Sequence, residues 1–194
     1  MRNLQIVPID KFGEGSGGKI LSGILSGYSC PLNAEVEDFL KNKALQSAKL
    51  STSKTYLVFD AEDGVLLGYF TLSAKSYTIE SVKLNSSKRR LIERFADRVG
   101  SKDRYSVAVY LIAQIGKNYA QEVRRGLLGR ELLQLAFAKL REVNDRIGGK
   151  IVLVERESDR SKLHAFYAAN GFSSWNERTN EKDGVVYDQM VAVL

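Results

Sequence analysis

A basic loop with two glycines lies between a strand pattern and a long helix pattern, and this junction constrains the fold most. Its sequence, Val-Arg-Arg-Gly-Leu-Leu-Gly-Arg-Glu-Leu-Leu, covers Val123–Leu133. The predicted strand Tyr105–Ile115 precedes it, and an apolar-periodic helix begins in its second half. Free backbone N–H groups and the helix dipole favour phosphate binding at a helix N-terminus. Because Arg124, Arg125 and Arg130 add charge-assisted hydrogen bonds, the junction predicts a site for a phosphate-containing ligand.

The length and composition are typical of one globular domain, and we assign residues 1–194 to it. The glycine- and serine-rich stretch Gly13–Gly18 predicts a surface loop, and we expect residues 1–27 to be partly flexible. No apolar run reaches the length of a membrane span, and the N-terminus lacks the apolar block of a signal peptide. The single cysteine, Cys30, excludes an internal disulfide and favours the reducing cytoplasm. With only one histidine besides, we expect no metal site of the zinc type.

The net charge of +6 favours polyanionic partners, and the surplus is concentrated in one short segment. This basic cluster consists of Lys88, Arg89, Arg90, Arg94 and Arg98. A helix is predicted over residues 86–98, and arginines spaced by four would share one of its faces. Such a face suits the phosphate backbone of a nucleic acid, although a solvated helix face is an equal alternative.

The other patterns alternate between strands and helices. Residues rich in β-formers flank the turn Ala61–Gly64 and predict a hairpin of strands 54–60 and 65–74. Further helices are predicted over residues 34–49, 128–146 and 161–170, and further strands over 151–154 and 185–193. The final strand could pair at a sheet edge between subunits. The order predicts an α/β fold with a mixed, mainly antiparallel central sheet and helices on both faces.

Two motifs in this order resemble those of the GNAT superfamily of N-acetyltransferases. The first motif is a strand that leads into an (Arg/Gln)-x-x-Gly-x-(Gly/Ala) loop at a helix start. Residues 124–129 match its first and last positions, with Leu127 where the superfamily prefers glycine. The second motif, an apolar residue followed by Tyr-x-x-x-Gly-Phe, is matched in full by residues 166–172. Cys30-Pro31-Leu32 and the hairpin strands resemble, more narrowly, the acetyltransferase toxins of bacterial type II toxin–antitoxin systems.

The resemblance implies an acetyl-CoA-dependent enzyme that acetylates the α-amino group of an aminoacyl-tRNA in the cytoplasm. It implies Tyr167 as the general acid that protonates the departing coenzyme A thiolate. It also implies a tRNA-binding role for the basic cluster, a small antitoxin protein as a partner, and a homodimer. The implied cofactor-binding residues are Ile115, Gly116 and Lys117 along the pantetheine arm, and Arg124, Arg125, Gly126, Leu127, Leu128, Gly129 and Arg130 at the pyrophosphate.

Several alternatives stay open at this point. Phe166 and Tyr167 also suit a short helix that packs aromatic rings into a core. No general base stands out: His164, Glu155 and Glu157 are weak candidates, and the low basicity of an aminoacyl ester amine could make a base unnecessary. The same chemistry could act on a small amine, a polyamine or a protein N-terminus. The leucine in the first motif leaves a third possibility, a module that binds coenzyme A or tRNA without catalysis.

Overall fold

The computed structural model describes residues 3–13, 15–80, 86–100, 104–120, 123, 126–181 and 184–194. The helices are α1 (Ser16–Ser26), α2 (Ala34–Asp38), α3 (Ala44–Lys49), α4 (Ser86–Glu93), α5 (Gly129–Ile147) and α6 (Ser161–Ala169). A 3-10 turn covers Ile9–Phe12, and a π-helical turn, Phe39–Lys43, joins α2 to α3. The strands are β1 (Leu4–Pro8), β2 (Lys54–Asp60), β3 (Leu66–Glu80), β4 (Ala96–Arg98), β5 (Arg104–Lys117), β6 (Ile151–Glu157), β7 (Ser173–Thr179) and β8 (Val186–Val193).

The strands form a mixed sheet in the order β1-β2-β3-β5-β6-β8-β7, with β4 paired to β5. β5 and β6 pair in parallel, with Val109 opposite Ile151. The pairs β1–β2, β2–β3, β4–β5, β6–β8 and β7–β8 are antiparallel. The predicted α/β class and the mainly antiparallel mixed sheet are therefore confirmed. The prediction that the final strand lies at a sheet edge is wrong, because β7 covers the side of β8 that β6 leaves open.

The chain divides into two units, and β3 and β5 each run from one unit into the other. Unit 1 consists of residues 1–73 and 112–138, and its core packs the N-terminal helices against β2 and β3. The predicted loop over Gly13–Gly18 is wrong beyond residue 15, where α1 begins. A Cβ on Gly17 would lie 1.8 Å from the Phe12 carbonyl oxygen, so glycine allows this helix to start against the preceding turn. Ile9 and Leu21 are buried in this core, and the expected partial flexibility of residues 1–27 stays a prediction.

Unit 2 consists of residues 74–111 and 139–194. Its core includes Val152, Tyr167, Phe172 and Met190, contributed by β6, α6, the turn after α6, and β8. The predicted helix over 86–98 is too long, since α4 ends at Glu93 and the chain then forms β4, which pairs with β5. None of the described helices combines the length and apolar character needed to cross a lipid bilayer.

Candidate active site

The last residues of β5, the strand predicted to bind pantetheine, pack closely against β3 and α5 in unit 1. A Cβ built on Gly68 of β3 would lie 2.7 Å from the Gly116 carbonyl oxygen, 3.2 Å from Lys117 Cα and 3.3 Å from Leu132 Cδ2. Only a glycine in β3 lets β5 and α5 approach this closely. The end of β5 and the first half of α5, which carry two of the predicted cofactor-binding segments, are thus packed together.

Gly116 also faces two buried phenols on its other side. A Cβ at this position would lie 2.4 Å from Tyr28 Oη and 2.5 Å from Val36 Cγ1. The Tyr69 hydroxyl donates a 2.6 Å hydrogen bond to the Val36 carbonyl, and its ring lies edge-on to Tyr28 with centroids 5.6 Å apart. Burial raises the pKa of both phenols, so each keeps its proton at neutral pH. The backbone of Gly116 is therefore confined on both faces.

Asn118 fixes the chain immediately after β5. Its side-chain oxygen accepts hydrogen bonds from the backbone N–H groups of Ser29 and Ala120, each at 3.0 Å. Its amide nitrogen donates to the Leu66 carbonyl at 2.9 Å, and its own N–H donates to the Leu67 carbonyl at 2.8 Å. Sequence reasoning missed this residue, because a single buried asparagine gives no local pattern.

The predicted phosphate site is the loop that leads into the N-terminus of α5. Leu127 is buried at 2% exposure and anchors the loop, whereas Leu128 is exposed at 59%. The Leu128 N–H donates to the Glu131 carboxylate at 2.7 Å, which is one half of a capping box. Arg130 is exposed in the first turn. Arg124 and Arg125 lie outside the described residues, and Gly126 and Gly129 lead directly into the helix.

Tyr167, the predicted general acid, lies on α6 in unit 2. It is 5% exposed, and its ring packs edge-on against Phe166 and Phe172 with centroids 5.3 and 5.4 Å away. Burial raises the pKa of Tyr167 to about 12. The ring therefore belongs to the core, as the alternative interpretation holds, while the phenol keeps its proton over the whole physiological range.

A cavity of about 630 Å³, open to solvent, lies among the end of β6, α6, β7 and β8 in unit 2. Its wall holds a buried ion pair in which Arg156 Nη2 lies 2.8 Å from Asp188 Oδ2, with each side chain 8% exposed. Ser174 donates a 2.8 Å hydrogen bond to the same carboxylate oxygen, and His164 Nε2 lies 3.3 Å from Ser174 Oγ. Of these four residues only His164 was a sequence candidate. The available signal for Asp188 was a carboxylate within a mainly apolar strand, whereas Arg156 lies among the charged residues that end β6.

Arg156 also holds the connection between β6 and α6. Its Nη1 donates to the carbonyl oxygens of Glu157, Ser158 and Arg160 at 2.9, 3.0 and 3.3 Å. This fork of a planar guanidinium spans one carboxylate and three carbonyls, a geometry that lysine cannot reproduce. The start of the helix that carries Tyr167 is thereby tied to β8 through Asp188.

The other two candidate bases form ion pairs in unit 2. Glu155 binds Arg178, with both oxygens 3.3 Å from the guanidinium, and accepts a 2.7 Å bond from Gln189. Glu157 lies 2.6 Å from Arg160. Within the described residues, no group of three or more histidine, cysteine, aspartate and glutamate side chains is arranged to hold a metal ion.

The basic cluster is arranged differently from the prediction. Arg89 and Arg90 are exposed on α4, and Lys88 belongs to the same helix. Because α4 ends at Glu93, the prediction that Arg90, Arg94 and Arg98 share one helical face is wrong. The guanidinium of Arg94 lies 5.4 Å from the Phe95 ring centroid. Arg98 is on β4, and its guanidinium lies 5.8 Å from the Tyr105 ring centroid and 3.7 Å from the Glu93 carboxylate.

The arrangement of strands and helices is shared with bacterial toxins of known structure. One such structure is that of AtaT complexed with acetyl-methionyl-tRNAfMet. The match spans 95% of this chain and 94% of the AtaT chain, with a TM-score of 0.62 and 15% sequence identity. The chain has the GNAT fold. A tyrosine-to-phenylalanine variant of KacT covers 97% of this chain and 95% of its own, with a TM-score of 0.63 and 17% identity.

A third similar structure contains acetyl-CoA and part of an antitoxin. It is a tyrosine-to-phenylalanine variant of the AtaT toxin bound to acetyl-CoA and the C-terminus of the antitoxin AtaR, with a TM-score of 0.57 and 14% identity. It covers 96% of this chain and 93% of its own. No family model and no curated protein sequence matches the chain. At these identities the likeness establishes the fold, and the expected GNAT architecture is confirmed.

Proposed function

We propose that this protein is an acetyl-CoA-dependent N-acetyltransferase that acetylates the α-amino group of aminoacyl-tRNA and thereby inhibits translation as a toxin. The observation that carries the proposal is Tyr167, a buried phenol in a complete Tyr-x-x-x-Gly-Phe motif, with its pKa raised to about 12 by burial. Fold neighbours bound to acetyl-methionyl-tRNA and to acetyl-CoA support the substrates. Charged tRNA and a single free, buried cysteine both fit a cytoplasmic enzyme.

The cofactor-binding role rests on two segments of unit 1. Backbone N–H groups of Ile115, Gly116 and Lys117 would contact the pantetheine arm and the thioester oxygen. The N-terminus of α5 and the exposed Arg130 would bind the pyrophosphate, together with Arg124, Arg125 and the backbone of residues 126–129. The buried Leu127 anchors this loop, so the leucine of the first motif is compatible with a cofactor site.

The proposed reaction requires one proton donor and one proton acceptor. The amine nitrogen attacks the thioester carbonyl carbon, and a tetrahedral intermediate forms with negative charge on oxygen. The C–S bond then breaks, and the thiolate takes the phenolic proton of Tyr167, while the nitrogen gives its own proton to water or to a side-chain base. Tyr167 recovers its proton from solvent. A phenol that remains protonated at neutral pH suits this donor role.

The basic cluster supports a nucleic-acid partner. Positive charge is concentrated on one segment of unit 2. Arg89 and Arg90 are exposed on α4, which also carries Lys88, and Arg94 and Arg98 follow this helix. Contacts to an acceptor stem depend on the phosphate backbone and on shape, so no base-reading motif is needed. A small antitoxin protein and a homodimer complete the proposed partners, and a neighbour bound to its antitoxin supports the former.

The decisive experiment measures labelled acetyl transfer from acetyl-CoA into a pool of charged bacterial tRNAs. We expect label on the aminoacyl end with the wild-type protein and a loss of about 10²- to 10⁴-fold with Tyr167→Phe. The matched control is Tyr110→Phe, which removes another phenol of unit 2 whose hydroxyl donates to the Gly148 carbonyl. This control should lower stability and leave transfer unchanged.

Three other outcomes identify the alternatives. Acetylation of small amines, polyamines or peptides without label on RNA would contradict the toxin proposal and leave an acetyltransferase. Binding of acetyl-CoA or tRNA without transfer to any acceptor would indicate a binding module. Equal transfer by Tyr167→Phe and the wild type would remove Tyr167 from the mechanism.

A further inference from the structure

The solvent-open cavity of unit 2 contains an ordered chain of hydrogen bonds that the proposed reaction does not yet use. His164 Nε2 lies 3.3 Å from Ser174 Oγ, and Ser174 Oγ lies 2.8 Å from Asp188 Oδ2. The carboxylate is fixed in turn by Arg156 at 2.8 Å. Three of these side chains come from different strands, so the chain is built by the tertiary fold and not by local sequence.

The direction of these bonds follows from the number of protons available. A serine hydroxyl has one proton, and the ionised Asp188 can only accept, so Ser174 donates to Asp188. The oxygen of Ser174 must then accept from His164, which places the imidazole proton on Nε2. Neutral His164 therefore keeps its lone pair on Nδ1, the form required of a base.

The charges around the cavity favour a bound amine. The groups that line it besides His164 include one cation, Arg156, and two carboxylates, Asp188 and Glu177. On α6 itself the nearest charged side chain in sequence is Lys162, which is exposed, and Arg160 at the helix start is paired with Glu157. The cavity wall therefore has a surplus of negative charge.

The position of His164 on α6 relates the cavity to the proposed general acid. His164 precedes Tyr167 by three residues, and helix positions three apart are surface neighbours, with Cβ atoms about 5–6 Å apart. Glu155 and Glu157, the other candidates, form ion pairs with Arg178 and Arg160. His164 is thus the candidate whose basic atom is left available by its hydrogen bonds.

We infer that His164 is the general base of the acetyl transfer and that the cavity of unit 2 holds the acceptor amine; this inference rests on the proposed function. As the nitrogen–carbon bond forms, Nδ1 of His164 takes the proton that the nitrogen loses. The imidazolium is stabilised through Ser174 by Asp188, which does not itself gain a proton. His164 returns the proton to solvent after the acetylated product leaves.

The first test uses the fact that His164 is the only histidine of the chain. Nitrogen-15 NMR of the uniformly labelled full-length protein gives one pair of imidazole nitrogen signals, which distinguishes the two neutral tautomers. We expect the Nε2–H form in the wild type and a mixture in Ser174→Ala, which cuts the chain but leaves the Arg156–Asp188 pair intact. A dominant Nδ1–H form in the wild type would overturn the inference.

The second test is chemical rescue of His164→Ala. This variant should lose about 10²- to 10⁴-fold in kcat/KM for charged tRNA, while its affinity for acetyl-CoA stays at the wild-type value. Added imidazole can enter the open cavity and should restore transfer in proportion to its neutral form across a pH series. Lys162→Ala, an exposed substitution on the same helix, is the control that should behave as the wild type in both respects.

The outcomes separate the inference from the proposed function. A wild-type protein that acetylates no amine contradicts the proposed function. An active wild type with an equally active His164→Ala variant overturns only the inference. A loss of activity that imidazole does not restore at any pH, or a matching loss of acetyl-CoA affinity, would assign His164 a structural role and overturn the inference as well.

Discussion

Substitution of Gly116 by alanine tests how tightly the end of β5 is enclosed. The new methyl carbon would lie 2.4 Å from Tyr28 Oη and 2.5 Å from Val36 Cγ1, about 1 Å inside normal contact with each. Tyr28 is buried, and the Val36 carbonyl is held by the Tyr69 hydroxyl, so neither neighbour can move freely. Overpacking of this kind costs about 1–3 kcal/mol, and two rigid neighbours indicate the upper half of that range.

Part of this cost is offset in the unfolded chain, because alanine there has less conformational freedom than glycine, by about 0.4–1 kcal/mol. We expect a net loss near 2 kcal/mol in the free energy of unfolding, or about 4–8 °C in Tm for a chain of this size. Urea unfolding followed by circular dichroism measures it. Tyr28→Phe in the Gly116→Ala background removes the atom at 2.4 Å and should recover about half of the loss, since the contact with Val36 remains.

Gly23→Ala is the control, because a Cβ at that position of α1 meets nothing within 4 Å. It should raise stability by up to about 1 kcal/mol through helix propensity. A Gly116→Ala protein as stable as the wild type, or one that Tyr28→Phe fails to improve, would show that the described packing at the end of β5 is wrong.

Three further variants probe other parts of the molecule. Glu131→Ala frees the Leu128 N–H and removes a negative charge from the α5 N-terminus, so calorimetry should show acetyl-CoA bound about two- to five-fold more tightly; weaker binding would place the pyrophosphate elsewhere. Replacing Arg89 and Arg90 by alanine should reduce the salt dependence of tRNA binding by about one unit of slope per arginine in filter-binding titrations, and an unchanged slope would remove α4 from the interface. Arg156→Met should cost about 3–5 kcal/mol in urea unfolding, because Asp188 is left buried and unpaired, and a loss below 1 kcal/mol would contradict its structural role.

Local patterns predicted the elements that local forces decide. The hairpin over 54–60 and 65–74 is confirmed, and β3 continues to Glu80. The helices over 34–49, 128–146 and 161–170 are confirmed within a residue or two at their ends, with a π turn inside the first. In each of these segments, apolar periodicity and turn residues favour the same secondary structure, and the tertiary contacts are compatible with it.

Tertiary contacts decided the elements that were mispredicted. Gly17 is typical of a loop by composition, but it is required by the close approach of α1 to the Phe12 carbonyl. The segment after Glu93 has helical charge spacing, but pairing with β5 makes it a strand. Leu127 and Leu128 are indistinguishable by type, and only packing determines that the first is buried and the second exposed.

The candidate site was predicted in part. The second motif indicated Tyr167, and the junction at α5 indicated a phosphate site; both roles stay predictions. The network around Asp188 could not be predicted, because its members Arg156 and Asp188 are 32 residues apart and meet only when β6 pairs with β8. A sequence read locally contains no information on which strands become neighbours.

The single thiol of the chain, Cys30, lies inside the core of unit 1 two residues after Tyr28, and its backbone N–H donates to the Glu37 carboxylate at 2.6 Å. Cys30 is 5% exposed, so a thiol reagent reaches it when this part of the core opens, and burial also raises the pKa of the thiol. The labelling rate therefore reports the opening free energy of unit 1 without any engineered probe. Since a ligand that binds only the closed form slows opening in proportion to 1 + [L]/Kd, the native cysteine can report the proposed binding of acetyl-CoA to unit 1 without any acceptor in the assay.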